Sequence, residues 1–550
     1  MRILWLALLA LLLEAGWLLL WPLGSTLSHS EAFTAAFLEN HAPARRVLGL
    51  LLDAARPVLP DLAEVPLTQP LGALAYVVPA SALAALMAWL AVWYLAALVS
   101  LDRGLGAARA AVWVVLGGAI AFQATLLFLP GLFSQDVFSY IAYGHLAAVY
   151  DLNPYVWPPS AIAKDAVVPW VADVWRSYPS PYGPLWTDVQ WVIARVFGGQ
   201  SVADEALVYR VLANALLVAN LGLAWAVLGR VAPLDRTQRT TALAALAWNP
   251  LMLFEVAGNA HNDALMVSFS LLALLALGRS NRARFVLAGA GFTLGALVKY
   301  LSGLGLVWVA LAAAAGSVSW AGRVVRVSLV ILVSLLLALA VLGPWLELPD
   351  SLDPLVAETA GVGYVNALPD ILALGVADNV LVPAGLPIAV AHDAARAVER
   401  FLVLAGFGVY LIWESRRVWS RSRSGLAAAT LSVSGAVSRS CLIYILVVST
   451  SVQTWYLCLP VGLAVVLGWR ATFTRLTIAY SLLALPALYL NYYLRDSTPL
   501  WVNLVYGLGP LSLLRTRARA HEPAAQAVGD DGHRARRDRV PRAIMKQGRR

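Results

Sequence analysis

Apolar residues fill the chain in long runs that recur from residue 3 to residue 514, with short polar segments between them. A helix of about 20 apolar residues spans the ~30 Å hydrocarbon core of a bilayer, so these runs predict transmembrane helices. We predict an all-α polytopic membrane bundle with about fourteen spans. The spans are residues 3–22, 71–99, 110–130, 206–230, 240–257, 262–278, 285–301, 303–320, 327–345, 399–415, 425–452, 455–469, 476–494 and 499–514.

Charged residues bear on the assignment of two of these segments. The first run holds Glu14 and ends at Trp21-Pro22 without the small-residue pattern of a signal-peptide cleavage site, so we predict an uncleaved first span. Arg439 interrupts the segment 425–452, where a charge at membrane depth is costly.

Arginines in the short loops predict the orientation, because cytoplasmic loops are enriched in Lys and Arg. With both termini in the cytoplasm, the inner loops carry Arg103, Arg109, Arg230, Arg236, Arg239, Arg279, Arg282, Arg284, Arg323, Arg326, Arg416, Arg417, Arg421, Arg423, Arg470 and Arg475. The long extracytoplasmic segments are then residues 23–70, 131–205 and 346–398, and short outer turns lie at 258–262 and 453–455. The pattern is typical of a multi-pass protein of the cell membrane.

Composition supports the membrane assignment, since 60% of the 550 residues are hydrophobic and 13% are charged. The net charge of +9 does not indicate nucleic-acid binding, because residues 515–550 hold 11 basic and 4 acidic residues and thus +7 of it. This basic tail has the composition of a disordered cytoplasmic segment that contacts membrane lipids. The two cysteines, Cys441 and Cys458, lie in apolar stretches and predict packing residues rather than a disulfide.

Asp136 begins the polar motifs, which the predicted topology brings to one membrane face. Pro130-Gly131 is expected to end the helix of the third span. Ser134 is placed to cap a following helix, in which Asp136 lies in the first turn. The helix dipole favours an ionised carboxylate there, which suits a general base. Tyr140 and Tyr143 share its helical face. The alternative is that Asp136 is only a helix-terminal charge.

Turn-forming, aromatic-rich sequences follow in the same outer segment. Asn153-Pro154-Tyr155 and Pro181-Tyr182-Gly183-Pro184 lie in a stretch too long for a simple connection. Rings such as Tyr182 can stack on a ligand, and prolines limit their freedom. An interfacial aromatic belt is the alternative explanation, and for a single ring it is the better one.

Glu255 to Asp263 joins two spans through the polar turn Gly258-Asn259-Ala260-His261-Asn262-Asp263. Each charge at membrane depth costs roughly 2.5–3.5 kcal/mol, so unpaired charges are seldom kept there without a use. His261 and Asp263 could bind a divalent metal, but two ligands do not close a site. Hydrogen bonding of Glu255, His261, Asn262 and Asp263 to a substrate is the favoured interpretation.

Lys299 is one of three lysines beside 37 arginines, and it lies with Tyr300 near the outer end of a span. A compact ammonium there suits a phosphate group, although a lysine that extends to the interface is an equal alternative. Gln453, Trp455 and Tyr456 add a polar and aromatic edge on the same side. We expect the polar and aromatic residues of these motifs to bind substrate, namely Tyr140, Tyr143, Asn153, Tyr155, Tyr182, Tyr300, Gln453, Trp455 and Tyr456.

Taken together, these motifs resemble the GT-C superfamily of polytopic glycosyltransferases that use polyprenyl-phosphate sugars. Within it, the chain is similar to the bacterial polyprenol-phosphomannose-dependent α-1,6-mannosyltransferases and their relatives. The resemblance runs from about residue 110 to 500. It rests on Asp136, the Asn-Pro-Tyr and Tyr-Gly-Pro sequences, Asn249-Pro250 with His261-Asn262-Asp263, Lys299, and Gln453-Thr454-Trp455-Tyr456.

The resemblance implies transfer of a sugar, mannose by preference, from a polyprenyl-phosphate donor to a hydroxyl of a glycan or glycolipid acceptor outside the cytoplasm. It implies inversion at the anomeric carbon, with Asp136 as the base. From the chemistry of the side chains, we expect Lys299 and His261 to meet the phosphate. Two features depart from the family pattern. Gln135 and Val137 flank a lone Asp136 in place of a second acid, and two extra spans come first.

Other functions remain open. In a transporter or lipid flippase, Glu255, His261, Asp263 and Lys299 would be coupling or substrate-binding groups, but the chain shows no internal repeat. An O-antigen ligase or polymerase would show more arginines in the outer loop.

The predicted domains follow the spans. They are a two-span N-terminal extension (1–109), a catalytic module (110–345) with its large outer loop (131–205), an outer loop (346–398), a C-terminal bundle (399–514) and the basic tail (515–550).

Overall fold

The computed structural model describes residues 2–27, 31–55, 77–231, 234–349, 367–494 and 500–514. Every regular element in these ranges is helical, which confirms the predicted all-α class. The basic tail lies outside the described residues, as do parts of the predicted outer segments 23–70 and 346–398 and the first residues of the predicted span 71–99.

Twenty-one helices make up the described chain. They are α1 (Arg2–Leu27), α2 (Glu31–Asn40), α3 (Ala42–Ala55), α4 (Val77–Asp102), α5 (Arg109–Leu127), α6 (Asp136–Ala148), α7 (Asp173–Arg176), α8 (Pro184–Phe197), α9 (Val202–Val231), α10 (Arg236–Ala247), α11 (Pro250–Met252), α12 (Asp263–Leu277), α13 (Arg284–Val298), α14 (Leu304–Ala315), α15 (Trp320–Leu342), α16 (Leu368–Val376), α17 (Ile388–Ser422), α18 (Leu426–Ile443), α19 (Cys458–Ala464), α20 (Thr472–Leu494) and α21 (Leu500–Leu508). Short 3₁₀ and π turns connect several of them.

Seven helices in the described ranges are long and apolar enough to cross a membrane, and α10 with the bent segment after it makes an eighth. Five further apolar segments, which include α12, α13 and α14, have only 10 to 17 residues. The chain is therefore a polytopic helical bundle, and the count of fourteen spans is not confirmed. Polar turns make several helices shorter than the apolar runs predicted, because the hydrophobicity of a run does not show where the backbone turns.

Arg439, which interrupts a predicted span, lies on α18 and pairs with Glu414 on α17. Its Nε donates to Glu414 Oε2 at 3.2 Å, and its Nη2 donates to the other carboxylate oxygen. The Glu414 side chain is fully buried. Two charges can occupy this apolar layer because each neutralises the other, whereas a lone charge there would carry its full desolvation cost.

The first helix packs into the same core as the rest of the bundle. Helix α1 lies against α4 and α5, and its Gly24 meets the break after α5. A Cβ on Gly131 would stand 2.0 Å from the Gly24 carbonyl oxygen, so only glycine allows the two backbones to approach this closely. Cys441 and Cys458 are buried and free, as predicted.

The predicted outer segment, residues 131–205, contains α6 and α8, which pack against each other. His145 of α6 is buried between two carboxylates. Its Nδ1 lies 2.9 Å from Asp165 and its Nε2 lies 2.9 Å from Glu205 at the start of α9. Burial alone would lower the pKa of His145, but the two carboxylates outweigh it and raise the pKa to about 9.

This ion-pair network predicts a pH-dependent stability. A raised histidine pKa stabilises the fold fully below pH 6.5, the ordinary value, and the contribution is lost as the pH rises through about 9. The shift limits the effect to about 3 kcal/mol. We expect the unfolding temperature in detergent to fall over this range in the parent and to stay flatter in His145→Asn.

His41→Gln is the matched control, because the ring of His41 bonds the carbonyl of Phe37 instead of a carboxylate. Equal pH profiles for the parent and His145→Asn would contradict the assignment.

Candidate functional site

A bent segment between α10 and α12 carries the central polar residues. Asn249 caps α11 by accepting hydrogen bonds from the backbone N–H of Leu251 and Met252, and Pro250 at the first helical position needs no such partner. A π-helical turn, Leu253–Gly258, follows. Ala260 then adopts φ 62°, a left-handed conformation that turns the chain sharply before Asp263 begins α12.

His261 lies between two carboxylates at the centre of the site. Its Nδ1 is 3.5 Å from Asp136 Oδ2, and its Nε2 is 3.4 Å from Glu255 Oε2. Its ring stacks on Trp455, with the centroids 4.1 Å apart and the planes at 18°. Residues from three distant parts of the chain therefore meet around one imidazole.

Glu255 is held by several donors in the interior. Thr454 Oγ1 donates to Oε1, and Asn259 Nδ2 and Tyr489 Oη donate to Oε2 at 3.2 and 3.4 Å. Asn259 also accepts from the backbone N–H of Phe133 at 3.0 Å. A buried carboxylate needs such partners, and here they join the turn after α11 to the segment before α6.

Lys299 follows the last residue of α13, in an extended conformation. Its Nζ lies 2.9 Å from Asp263 Oδ2 and 4.9 Å from the centre of the Tyr456 ring. The carboxylate and the ring face keep the ammonium near the cluster, since each attracts a cation.

Exposure divides the cluster into an inner and an outer part. The side chains of Glu255, His261 and Asp263 are fully buried, whereas those of Asp136 and Lys299 are 17% and 20% exposed. A ligand that reaches the cluster from outside therefore meets one carboxylate and one ammonium.

The environment of Asp136 alters its acidity. Burial raises the pKa of Asp136 above its usual value, and nearby His261 and Lys299 only partly offset this. Asp136 lies in the first turn of its helix, as predicted, but desolvation is the largest effect on its pKa and acts against the ionised form. Ser134 Oγ accepts from the Asp136 backbone N–H at 3.3 Å, and α6 begins at Asp136 itself.

Several buried side-chain atoms of the cluster lack hydrogen-bond partners among the described residues. They include both ring nitrogens of His261, both amide atoms of Asn262 and Oδ1 of Asp263. Such groups are costly to bury unless a ligand or water completes them. These atoms point to a binding role for this turn.

Aromatic rings form the wall next to Asp136. The ring of Tyr140 lies 5.0 Å from that of Tyr182 and 5.1 Å from that of Trp186. Tyr143 belongs to the same helix, but its hydroxyl donates to the Tyr178 carbonyl at 2.9 Å. That hydroxyl is used within the protein.

The Asn-Pro-Tyr and Tyr-Gly-Pro motifs support each other. Tyr155 Oη donates to the Tyr182 carbonyl at 2.7 Å, and Asn153 Nδ2 donates to the Trp345 carbonyl at 2.9 Å. The Gly183 N–H then donates to the Val298 carbonyl at 3.2 Å, directly before Lys299. In this structure the polar atoms of Asn153 and Tyr155 therefore form hydrogen bonds within the protein, and these bonds stabilise the conformation of the loop.

Tyr300 and Gln453 lie at the edges of the site. Tyr300 is 44% exposed and lines an apolar groove between α13, α14 and α15. Gln453 precedes the short helix Thr454–Leu457, where its carbonyl accepts from the Tyr456 N–H.

His261 and Asp263 are residue types that can bind a divalent metal. Within the described ranges, no group of three or more His, Cys, Asp or Glu side chains is arranged to hold a metal ion.

Sequence reasoning missed two buried residues that support the site. Arg210 of α9 donates to backbone carbonyls next to the cluster, and Tyr489 of α20 contacts Glu255. An arginine inside a predicted span was a visible signal, because charges at that depth are rarely retained without a role. Tyr489 carried no comparable signal.

Comparison with known proteins identifies relatives of this chain. Residues 47–315 match the family model described as "Alpha-(1->6)-mannopyranosyltransferase, N-terminal domain". This range includes Asp136, Glu255, the His261 turn and Lys299. The resemblance predicted from the motifs is therefore confirmed.

Individual relatives come from Mycobacterium, Mycolicibacterium and Corynebacterium species. Alpha-(1->6)-mannopyranosyltransferase A of Mycobacterium tuberculosis is 31% identical over 233 residues, which are 41% of this chain and 40% of that protein. Alpha-(1->6)-mannopyranosyltransferase B of Corynebacterium glutamicum is 28% identical over 213 residues, 35% and 34% of the two chains. A Mycolicibacterium smegmatis protein named "Probable alpha-(1->6)-mannopyranosyltransferase" is 32% identical over 149 residues, 26% and 25%. The matches thus span 40% or less of the length of these three relatives.

Gly183 tests the contact between the Tyr-Gly-Pro loop and the Lys299 segment. A Cβ at this position would stand 2.2 Å from the Leu297 carbonyl oxygen. We expect Gly183→Ala to push the loop away and to destabilise the protein by about 1–3 kcal/mol, measured as a lower unfolding temperature in detergent.

Gly199→Ala is the matched control, because a Cβ there meets nothing within 4 Å. If Gly183→Ala unfolds at the same temperature as the parent and the control, the close contact does not exist in solution.

Proposed function

We propose that this chain, whose residues 47–315 match an α-(1→6)-mannopyranosyltransferase N-terminal domain, is a membrane mannosyltransferase that uses a polyprenyl-phosphate sugar. Asp136 acts as general base and Lys299 binds the donor phosphate. The acceptor is a hydroxyl group of a glycan or glycolipid. The sugar is transferred with inversion.

The exposure of Asp136 carries this proposal. It is the one acid of the described cluster with an exposed side chain, at 17%, while Glu255 and Asp263 are fully buried. An acceptor hydroxyl can therefore reach Asp136 directly. Its raised pKa makes it a stronger base than an ordinary aspartate, as long as it is ionised at the working pH.

The transfer needs one base and one cation. The acceptor oxygen attacks the anomeric carbon from the face opposite the phosphate, and its proton passes to Asp136. The bond between the anomeric carbon and the phosphate oxygen breaks, and the phosphate leaves with the electron pair. Lys299, at 20% exposure, can stabilise the charge that this phosphate gains. The leaving group needs no acid, unlike a glycosidic oxygen.

An apolar groove beside Lys299 supports a lipid-linked donor. It has a volume of about 400 Å³ and lies between α13, α14 and α15. Its lining includes Leu297, Tyr300, Ala310, Leu335 and Ala338. Leu297 and Tyr300 flank Lys299 in sequence, so an isoprenoid chain in the groove would present its phosphate to the ammonium. Helix α15 forms one wall and is otherwise largely exposed, as a lipid-facing helix would be.

The proposal places the site on the extracytoplasmic face of the cell membrane and both termini in the cytoplasm. In this topology, each of the fourteen predicted apolar segments crosses the membrane. Asp136 and His261 then lie on one side, as the 3.5 Å separation of their side chains requires. The arginine-rich short loops support this orientation.

Removal of the base should nearly abolish transfer. We expect Asp136→Asn to lower the turnover number by about 10²–10⁴-fold, because the amide cannot accept the acceptor proton. Transfer of radiolabelled mannose from polyprenyl-phosphate mannose to an acceptor, with purified monodisperse protein, measures this. Asp173→Asn is the control, since Asp173 belongs to the same outer segment and its side chain is 92% exposed.

Asp136→Asn protein that transfers sugar at close to the parent rate would exclude Asp136 as the base. A parent protein inactive with all polyprenyl-phosphate sugars would instead overturn the donor class.

Filling the groove should weaken binding of the lipid donor. We expect Ala338→Trp to raise the KM for a long-chain polyprenyl-phosphate sugar by about 10-fold or more, since the indole occupies space needed by apolar carbons that are worth ~0.8 kcal/mol each. A short-chain water-soluble analogue should be affected much less. Comparison of the two donors in the transfer assay measures this selectivity.

Leu339→Trp is the matched control on the same helix, because Leu339 is 51% exposed and does not line the groove. An Ala338→Trp protein with an unchanged KM for the long-chain donor would show that the lipid binds elsewhere.

A further inference from the structure

Arg210 of α9 is a fully buried cation bonded to backbone carbonyls. Its Nε donates to the Gly258 carbonyl at 3.0 Å, and its Nη1 and Nη2 donate to the carbonyls of Leu129 and Gly131, each at 2.6 Å. In the described part of the chain, no carboxylate forms an ion pair with it. The faces of Phe33 and Phe37 of α2 lie 5.8 and 5.6 Å from the guanidinium carbon.

The three carbonyls lie at two points where a helical segment ends. Leu129 and Gly131 lie where α5 has ended and the chain turns toward Asp136. Gly258 ends the π-helical turn that leads to His261. Carbonyls at such helix ends lack intrahelical partners, so a planar donor that reaches all three replaces the missing bonds.

We infer that Arg210 is a positioning residue, which sets the separation between the base Asp136 and the His261 turn. This inference rests on the proposed function. The guanidinium joins the segment five residues before Asp136 to the segment three residues before His261. Asn214, one turn further along α9, adds a bond to the Ala257 carbonyl at 3.1 Å.

The placement of Gly131 strengthens this argument. Its carbonyl is bound by Arg210, and its Cα faces the carbonyl of Gly24 so closely that no side chain fits. The turn before Asp136 is thus contacted by α1 on one side and hydrogen-bonded by α9 on the other. Loss of the Arg210 hydrogen bonds leaves the fold in place, because α1 still contacts this turn, but it lets the turn shift relative to the Gly258 turn.

The test uses Arg210→Gln and Arg210→Lys. Neither new side chain has the planar set of three donors that bonds all three carbonyls. We expect the donor KM to stay within about 2-fold of the parent and kcat to fall by about 10–100-fold, since a shift of ~1 Å at reacting groups costs up to 10² in rate. The readout is this split between kcat and KM in the mannosyl-transfer assay, together with the unfolding temperature.

Arg326→Gln is the matched control, because Arg326 also donates to a backbone carbonyl after a helix, that of Gly316 at 2.7 Å, at the end of α14 opposite to the Lys299 segment. We expect its kcat to equal that of the parent. Folded Arg210 variants with a parental kcat would overturn the inference. So would a parallel rise in KM and fall in kcat, or failure of both variants to fold, because Arg210 would then serve the fold as a whole.

Activity of the parent separates this inference from the proposed function. If the parent transfers mannose from the polyprenyl-phosphate donor and the Arg210 variants do so equally well, only the positioning role fails. If the parent does not transfer it, the proposed function fails.

Discussion

A charge in the interior of a membrane protein must be neutralised by neighbours, because the low-dielectric surroundings cannot solvate it. The polar cluster meets this constraint with a compact set of pairs. His261 lies between Asp136 and Glu255, and Lys299 pairs with Asp263. Hydrogen bonds to Glu255 from Thr454, Asn259 and Tyr489 complete the interior part. Within the cluster, only the side chains of Asp136 and Lys299 are partly exposed, so a ligand would meet one carboxylate and one ammonium.

The helical class and the convergence of the motifs could be predicted from the sequence. Apolar runs carry a strong signal for helices, and alternating arginines carry one for orientation, so Asp136, His261 and Lys299 were expected at one face. The structure places His261 3.5 Å from Asp136, and it pairs Lys299 at 2.9 Å with Asp263, two residues after His261. The number of spans could not be read in the same way, because the turn around Ala260 and the extended Lys299 shorten the helices locally.

Hydrogen bonds formed by individual side chains were beyond prediction from one sequence. Tyr143, Asn153 and Tyr155 were expected to bind substrate, yet their polar atoms bond to backbone carbonyls of the same outer segment or of Trp345. Their role in binding stays a prediction. Arg210 was not singled out, since its three acceptors lie about 50 to 80 residues away in sequence. Contacts of this kind depend on packing, which no local pattern encodes.

The most direct measurement is a cryo-EM structure of Asp136→Asn bound to polyprenyl-phosphate mannose. We expect the phosphate within about 3 Å of the Lys299 ammonium, the lipid between α13, α14 and α15, and the anomeric carbon facing residue 136. Density for the donor at another surface, with the Lys299–Asp263 pair and the groove unchanged, would contradict the account.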